Sequence, residues 1–151
     1  MKKLIKNITM VITLFYGLNA FSQAPTANTS CEAKCIFGSC SATCNAKMGA
    51  AACACYYGIP VCACGGGGGI ATPVTVNDHQ LENVNSLLTH LQTYNSVEAL
   101  NLRNKVSRYR NQIQNNETNL TIVTQEIVIA ADNLNVIEKT RLNSFIQTLV
   151  P

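Results

Sequence analysis

Eight cysteines fall between positions 31 and 64, and none lies elsewhere in the chain. They run Cys31, Cys35, Cys40, Cys44, Cys53, Cys55, Cys62 and Cys64, which reads as C-x3-C twice and then C-x-C twice. Thiols at i and i+4 share a face of a helix, and thiols at i and i+2 share a face of a strand. A helix face carrying two sulfurs is therefore expected to be bolted to a strand face carrying two. The segment has few large apolar residues beyond Ile36, Phe37, Met48, Ile59 and Val61. So little apolar volume cannot close a core by burial alone, and covalent staples are what such a segment needs.

The N-terminus sets the redox compartment. Lys2, Lys3 and Lys6 precede an apolar run from Ile8 to Leu18, and Ala20-Phe21-Ser22 supplies small residues at −3 and −1. This is the layout of a secretory signal peptide over 1–22, with cleavage expected near Ser22–Gln23. The apolar run is about half of the ~20 residues a membrane span needs, so no span is expected in the mature chain. The protein is expected to be secreted, periplasmic or displayed at the cell surface, where disulfides persist. Charge follows the same cut. Of eleven Lys and Arg, three leave with the signal, and the remaining eight meet eight Asp and Glu. A formally neutral mature chain gives no reason to expect nucleic acid as a partner.

Composition then divides the mature chain. Residues 23–30 are small and polar and read as a flexible leader; 31–64 form the disulfide-rich module. Gly65 to Gly69 open a Gly-rich linker over 65–73, read as a hinge. Between Val74 and Val150 there is no Gly, Pro or Cys. Leu, Ile and Val there recur at intervals of three and four, as in Leu81, Val84, Leu88, Leu91 and in Ala99, Leu102, Val106, Tyr109, Ile113. Asn77-x-x-Gln80, Asn95-x-x-Glu98 and Asn135-x-x-Glu138 have the form of capping boxes. Helices are expected near 77–94, 96–115, 118–132 and 135–149, making an antiparallel bundle over 74–150. The hydrophobic phase is preserved across Asn115 to Asn119, so one long helix over 96–132, giving a helical hairpin or coiled coil, is the alternative.

Eight cysteines admit about a hundred connectivities. Cys53-Ala54-Cys55 and Cys62-Ala63-Cys64 flank Tyr56 to Val61 and read as a hairpin, with Gly58 and Pro60 supplying the turn. Ser39 to Met48 reads as a short helix ending at Gly49. The expected pairing joins Cys31 and Cys35 to one C-x-C and Cys40 and Cys44 to the other. Cys31-Glu32-Ala33-Lys34-Cys35, Gly38-Ser39-Cys40 and Cys62-Ala63-Cys64 stand in the order used by the cystine-stabilised α/β scaffold of defensins and scorpion toxins, which this segment resembles. The segment differs in its second C-x-C, in placing C-x3-C first, and in carrying only Lys34 and Lys47 against Glu32. The resemblance implies a scaffold rather than a function. Repeated C-x-C is also similar to metallothioneins, which hold soft ions through thiolates. Metal sequestration is therefore an alternative to disulfides.

Other sites are sparse. His79 and His90 lie ~16 Å apart along one helix at 1.5 Å per residue, too far to share an ion, and are expected to face solvent. The acids are dispersed, and no Ser or Cys has a base and orienter beside it. Neither catalytic residue, metal nor cofactor is expected. Arg103, Lys105, Arg108 and Arg110 form the one local charge run; their expected role is pairing with acids on a neighbouring helix, with an anionic ligand as the functional reading. Together with Tyr56 and Tyr57 they are the candidate binding residues. Asn116-Glu117-Thr118 and Asn119-Leu120-Thr121 match the N-glycosylation triplet.

The expected protein is thus a small disulfide-rich α/β module joined by a Gly hinge to an all-α antiparallel helical bundle. Its expected function is non-enzymatic interaction with a protein or a cell-surface glycan, with self-association through helix seams. A secreted toxin or antimicrobial precursor is the alternative.

Overall fold

The computed structural model describes residues 29–44, 50–65 and 69–150. The expected signal peptide, its expected cleavage site and the leader up to residue 28 lie outside the described residues, as do 45–49 and 66–68.

The cysteine segment folds as two antiparallel hairpins. β1 (Thr29–Cys35) pairs with β2 (Gly38–Cys44), and β3 (Ala51–Tyr56) pairs with β4 (Ile59–Cys64). The short strand β5 (Gly69–Ala71) adds to the free edge of β2, giving a three-stranded sheet in the order β1-β2-β5 beside a two-stranded one. The sheets are stapled face to face. Cys31–Cys53 and Cys35–Cys55 join β1 to β3, while Cys40–Cys62 and Cys44–Cys64 join β2 to β4. The expected grouping of each C-x3-C with one C-x-C is what forms.

The secondary structure beneath that grouping is corrected. Residues 39–44 are strand, not the start of a helix over 39–48, and the described part of the module is all-β rather than α/β. The residues between the cysteines show why. Along β2, Ser39, Ser41 and Thr43 face outward while Gly38, Cys40, Ala42 and Cys44 are buried, an alternation with a period of two.

Small residues on the inner face follow from the staples. Bridged Cα atoms stand 5.5–6.0 Å apart, whereas packed sheets ordinarily lie ~10 Å apart. Between surfaces drawn that close, Ala33, Ala42 and Gly38 fit and a Leu would not. The scarcity of aliphatics, which made staples necessary, is also what allows them to form.

In the second hairpin the two-residue turn is Tyr57-Gly58, both at positive φ (50° and 73°), the combination that suits the strand twist. Pro60 is not part of the turn but lies in β4 opposite Cys55. One pair beyond a two-residue turn is a non-hydrogen-bonded position, so the missing Pro60 N–H costs no ladder bond.

Four helices follow: α1 (Asp78–Leu91), α2 (Val97–Gln114), α3 (Thr121–Asp132) and α4 (Val136–Thr148). Asn77 and Gln80 close a full capping box on α1. On α2 the cap is Ser96 rather than Asn95, with the Ala99 N–H donating to Ser96 Oγ. Asn135 caps α4, but the Glu138 carboxylate turns sideways to accept from Ser96 Oγ (2.9 Å) and Asn135 Nδ2 (2.7 Å).

The long-helix alternative is excluded at Asn116. That residue takes φ 54°, and the N–H groups of Asn116 and Glu117 donate back to the carbonyls of Ile113 and Gln112. This paired reverse bonding ends a helix at a left-handed residue, a conformation Asn tolerates.

Residues 69–75, expected within or just past a free linker, run along β2. Beyond β5, Thr72 N–H donates to Ser41 O, and Ser39 and Thr75 exchange both backbone bonds. One continuous core then reaches from the head into the helices. It takes in Phe37 and Ile59 from the hairpins, Val74 from the connection, and Leu91, Leu102, Tyr109 and Ile127 from the helices.

Candidate functional site

The joint between head and helices is made by the first hairpin's turn. Its carbonyls at Cys35, Ile36 and Phe37 accept, in order, from Gln80 Nε2 (2.9 Å), Asn83 Nδ2 (3.2 Å) and Tyr109 Oη (2.7 Å). Buried backbone carbonyls need partners, and helix side chains supply all three. This explains two polar residues on the buried face of α1: Gln80 and Asn83 are only 9% and 8% exposed. Phe37 itself is fully buried, and its N–H donates to Gly58 O (3.0 Å), which ties the two hairpin turns together. Burial pushes the Tyr109 hydroxyl pKa well above its ordinary value, so it stays a donor at any physiological pH.

Beside this joint lies a cleft of about 590 Å³, within the ~300–1,000 Å³ of small-ligand sites. One wall is the hairpin tips, with Lys34, Ile36, Tyr57, Gly58 and the Cys35–Cys55 bridge. A second is the start of α1, with Asn77, His79, Gln80 and Asn83. The third is the end of α4, with Asn143, Ile146 and Gln147, followed by Leu149 and Val150. The lining contains five amide side chains, two basic groups and no carboxylate. Three of the amides are engaged within the protein, Asn77 in the cap and Gln80 and Asn83 in the joint. Asn143 and Gln147 stand exposed on α4.

The candidate residues named from sequence do not gather in one place. Tyr57 lines the cleft, and its hydroxyl donates to Asp132 Oδ1 (2.8 Å) at the end of α3. Partial burial, that hydrogen bond and the Asp132 charge push its pKa up to about 12. Tyr56 is half exposed on the outer side of β3. Lys105 and Arg108 both reach Glu126 of α3 (2.9 and 3.1 Å), the expected pairing with an acid on a neighbouring helix. The hydrogen bond from Lys105, aided by both cationic charges, holds the Glu126 carboxyl below its ordinary pKa. Arg110 bonds the neighbouring Asn111 side chain, and Arg103 borders a separate depression near Tyr94 and Val97.

One histidine expectation is corrected. His79 is exposed, but His90 stacks on Phe145 of α4, with ring centroids 4.2 Å apart and planes 7° from parallel. Its Nε2 lies 3.1 Å from Tyr94 Oη, and Arg141 lies over the Tyr94 ring. Desolvation, then the charge of Arg141, lowers the His90 pKa. Sequence reasoning missed Gln80, Asn83, Asn143, Gln147 and this histidine node. For the first two a signal existed: positions 80, 83 and 87 share a face with the Leu stripe, so polar residues there needed buried partners.

All eight sulfurs are in bridges. Among the described residues no group of three or more His, Cys, Asp or Glu is placed to hold a metal ion, and no helix is long and apolar enough to cross a membrane. The site is an amide-rich recess where two disulfide-stapled β-sheets sit against helices. No family model, curated protein or solved structure matches the chain.

Proposed function

We propose that this chain is an exported, non-enzymatic binding protein, and that the cleft at the joint of head and helices is where it takes its ligand. The observation that carries this reading is the construction of the cleft. Two bridges, Cys31–Cys53 and Cys35–Cys55, fix the strands that lead into the hairpin tips, and three helix side chains hold the first turn from behind. A recess whose hairpin wall is fixed before binding loses less conformational entropy when occupied, which favours recognition. Five of the polar side chains lining it are amides, which bind and orient but neither attack nor transfer protons at neutral pH, and no carboxylate joins Lys34, His79 and the Tyr57 hydroxyl there to form an acid–base pair. The four disulfides fit an oxidising compartment outside the cytoplasm. Metal sequestration by thiolates would require sulfurs that these bridges already use.

The test fills the cleft. Asn143→Trp and Gln147→Trp change exposed residues whose side chains make no hydrogen bond with the described residues. The labelled wild-type protein is expected to bind saturably to the surface or extracellular material of the producing cells, and the double variant to lose that binding. Equal binding by both proteins, or turnover of any component by the wild type, would overturn the reading.

A further inference from the structure

We propose that the junction cleft binds a short, extended peptide segment that presents an apolar side chain and a carboxylate. This rests on the reading of the chain as a binding protein and names the class of ligand for the same site.

The two free amides of the cleft are spaced to match an extended peptide. Asn143 and Gln147 are four residues apart on α4, so they stand ~6 Å apart along its axis and on the same side. In an extended chain, peptide groups facing one way recur every two residues, at about 6.6 Å. Each side-chain amide offers one acceptor and a pair of donors, which matches the N–H and C=O of a peptide unit. The two amides can therefore address successive peptide groups along one edge of a bound strand.

The opposite wall adds a fixed acceptor. Asn83 is 8% exposed and lines the cleft. Its Nδ2 is committed to Ile36 O (3.2 Å), which orients the amide, and its Oδ1 accepts from no described residue while remaining accessible. An acceptor held this way suits a backbone N–H. Ile36, Ile146 and Leu149 line the same recess and offer burial to a side chain that points inward.

Charge selects among peptides. The only basic side chains in the lining are Lys34 and His79, and no Asp or Glu contributes to it. Lys34 lies 3.4 Å from Glu32 and His79 lies 4.0 Å from Glu82, but all four side chains are more than half exposed. Such pairs are weak and easily exchanged for a ligand carboxylate. A saccharide is the poorer fit. The chain has no Trp to act as a stacking platform, the hydroxyl of the lining Tyr57 is committed to Asp132, and no carboxylate is present to accept from sugar hydroxyls.

The experiment selects a random-peptide display library on the full secreted protein, with N143A/Q147A as the comparison. A synthetic peptide of the enriched sequence is then titrated calorimetrically. The expected consensus holds an apolar residue and an Asp or Glu. Its affinity is expected to fall at least about tenfold in N143A/Q147A, whose melting temperature stays at the wild-type value. A second variant, Asn143→Asp with Gln147→Glu, is expected to weaken binding further by repelling the acid. A basic consensus, equal affinity for wild type and variants, or no enrichment would each overturn the peptide assignment. A parallel saccharide array separates the two levels. A saccharide signal lost in N143A/Q147A would sink the peptide class and keep the binding reading, while cleft-dependent signal in neither format would sink both.

Discussion

Gly58 and Tyr109 hold the joint from its two sides. Gly58 has φ 73°, and a Cβ there would stand 2.8 Å from the ring of the buried Phe37. Gly58→Ala therefore adds backbone strain to overpacking and is expected to cost about 2–4 kcal/mol in a denaturant titration. Tyr109→Phe keeps the ring in the core but leaves the Phe37 carbonyl without its donor, for an expected loss of about 1–3 kcal/mol. Tyr109 was legible in sequence as one more position in the apolar stripe of α2. Its hydroxyl was not, because its acceptor lies 72 residues earlier in the chain and no local pattern reports a contact that distant. His90 carries the pH dependence. Its folded pKa is lowered, so below the ordinary histidine value the unfolded chain binds the proton more readily than the folded one. Stability is then fully present above pH ~6.5 and falls as pH drops through the depressed folded value. Chemical denaturation between pH 8 and pH 5 reads this slope. His90→Gln, which removes the titration beside Arg141 and Tyr94, is expected to flatten it.

The elements show where sequence periodicity discriminates and where it does not. The four helices lie within the ranges expected from 3-4 stripes and caps, because apolar spacing over a dozen residues separates a period of 3.6 from one of two. The C-x3-C pairs carry no such information, since positions four apart share a face in both a helix and a strand. The discriminating signal lay between the cysteines, in the alternation of Ser41, Ala42 and Thr43. The grouping of the cysteines survived the change of element because it depended only on shared faces. At ~3.3 Å per residue, however, the two sulfurs of a C-x3-C strand start ~13 Å apart and must meet partners ~7 Å apart, so the bridges splay between the hairpins. The end of α2 was ambiguous for a different reason: its apolar phase continues past Ile113, and only the backbone of Asn116 breaks it. Asn116→Gly, which removes the remaining left-handed strain, is expected to stabilise the protein by about 0.5–1 kcal/mol, and Asn116→Val to destabilise it by at least as much. Thermal melts of the two variants, moving in opposite directions, check this.

At the scale of the molecule, composition suggested two independent modules with glycine between them, and the fold joins them. The division was legible because Cys and Gly stop where the helical stripes begin. The joint was not, because it is made by backbone carbonyls meeting Gln80, Asn83 and Tyr109, and backbone groups leave no mark on composition. The cleft inherits this, since its walls come from the head, α1 and α4 and exist only when all three are in place. A head that is seated in the helices should also stabilise them. Each bridge closes a loop of 20 or 22 residues, worth roughly 3 kcal/mol alone in the chain-entropy model and less when summed. The most direct test is the helical circular dichroism melt of the full chain, recorded oxidised and again after complete reduction and alkylation. The joined core predicts a single transition in the oxidised protein, and a helical midpoint lowered by about 10 °C or more once the bridges are gone. A helical transition that is unchanged by reduction would contradict it.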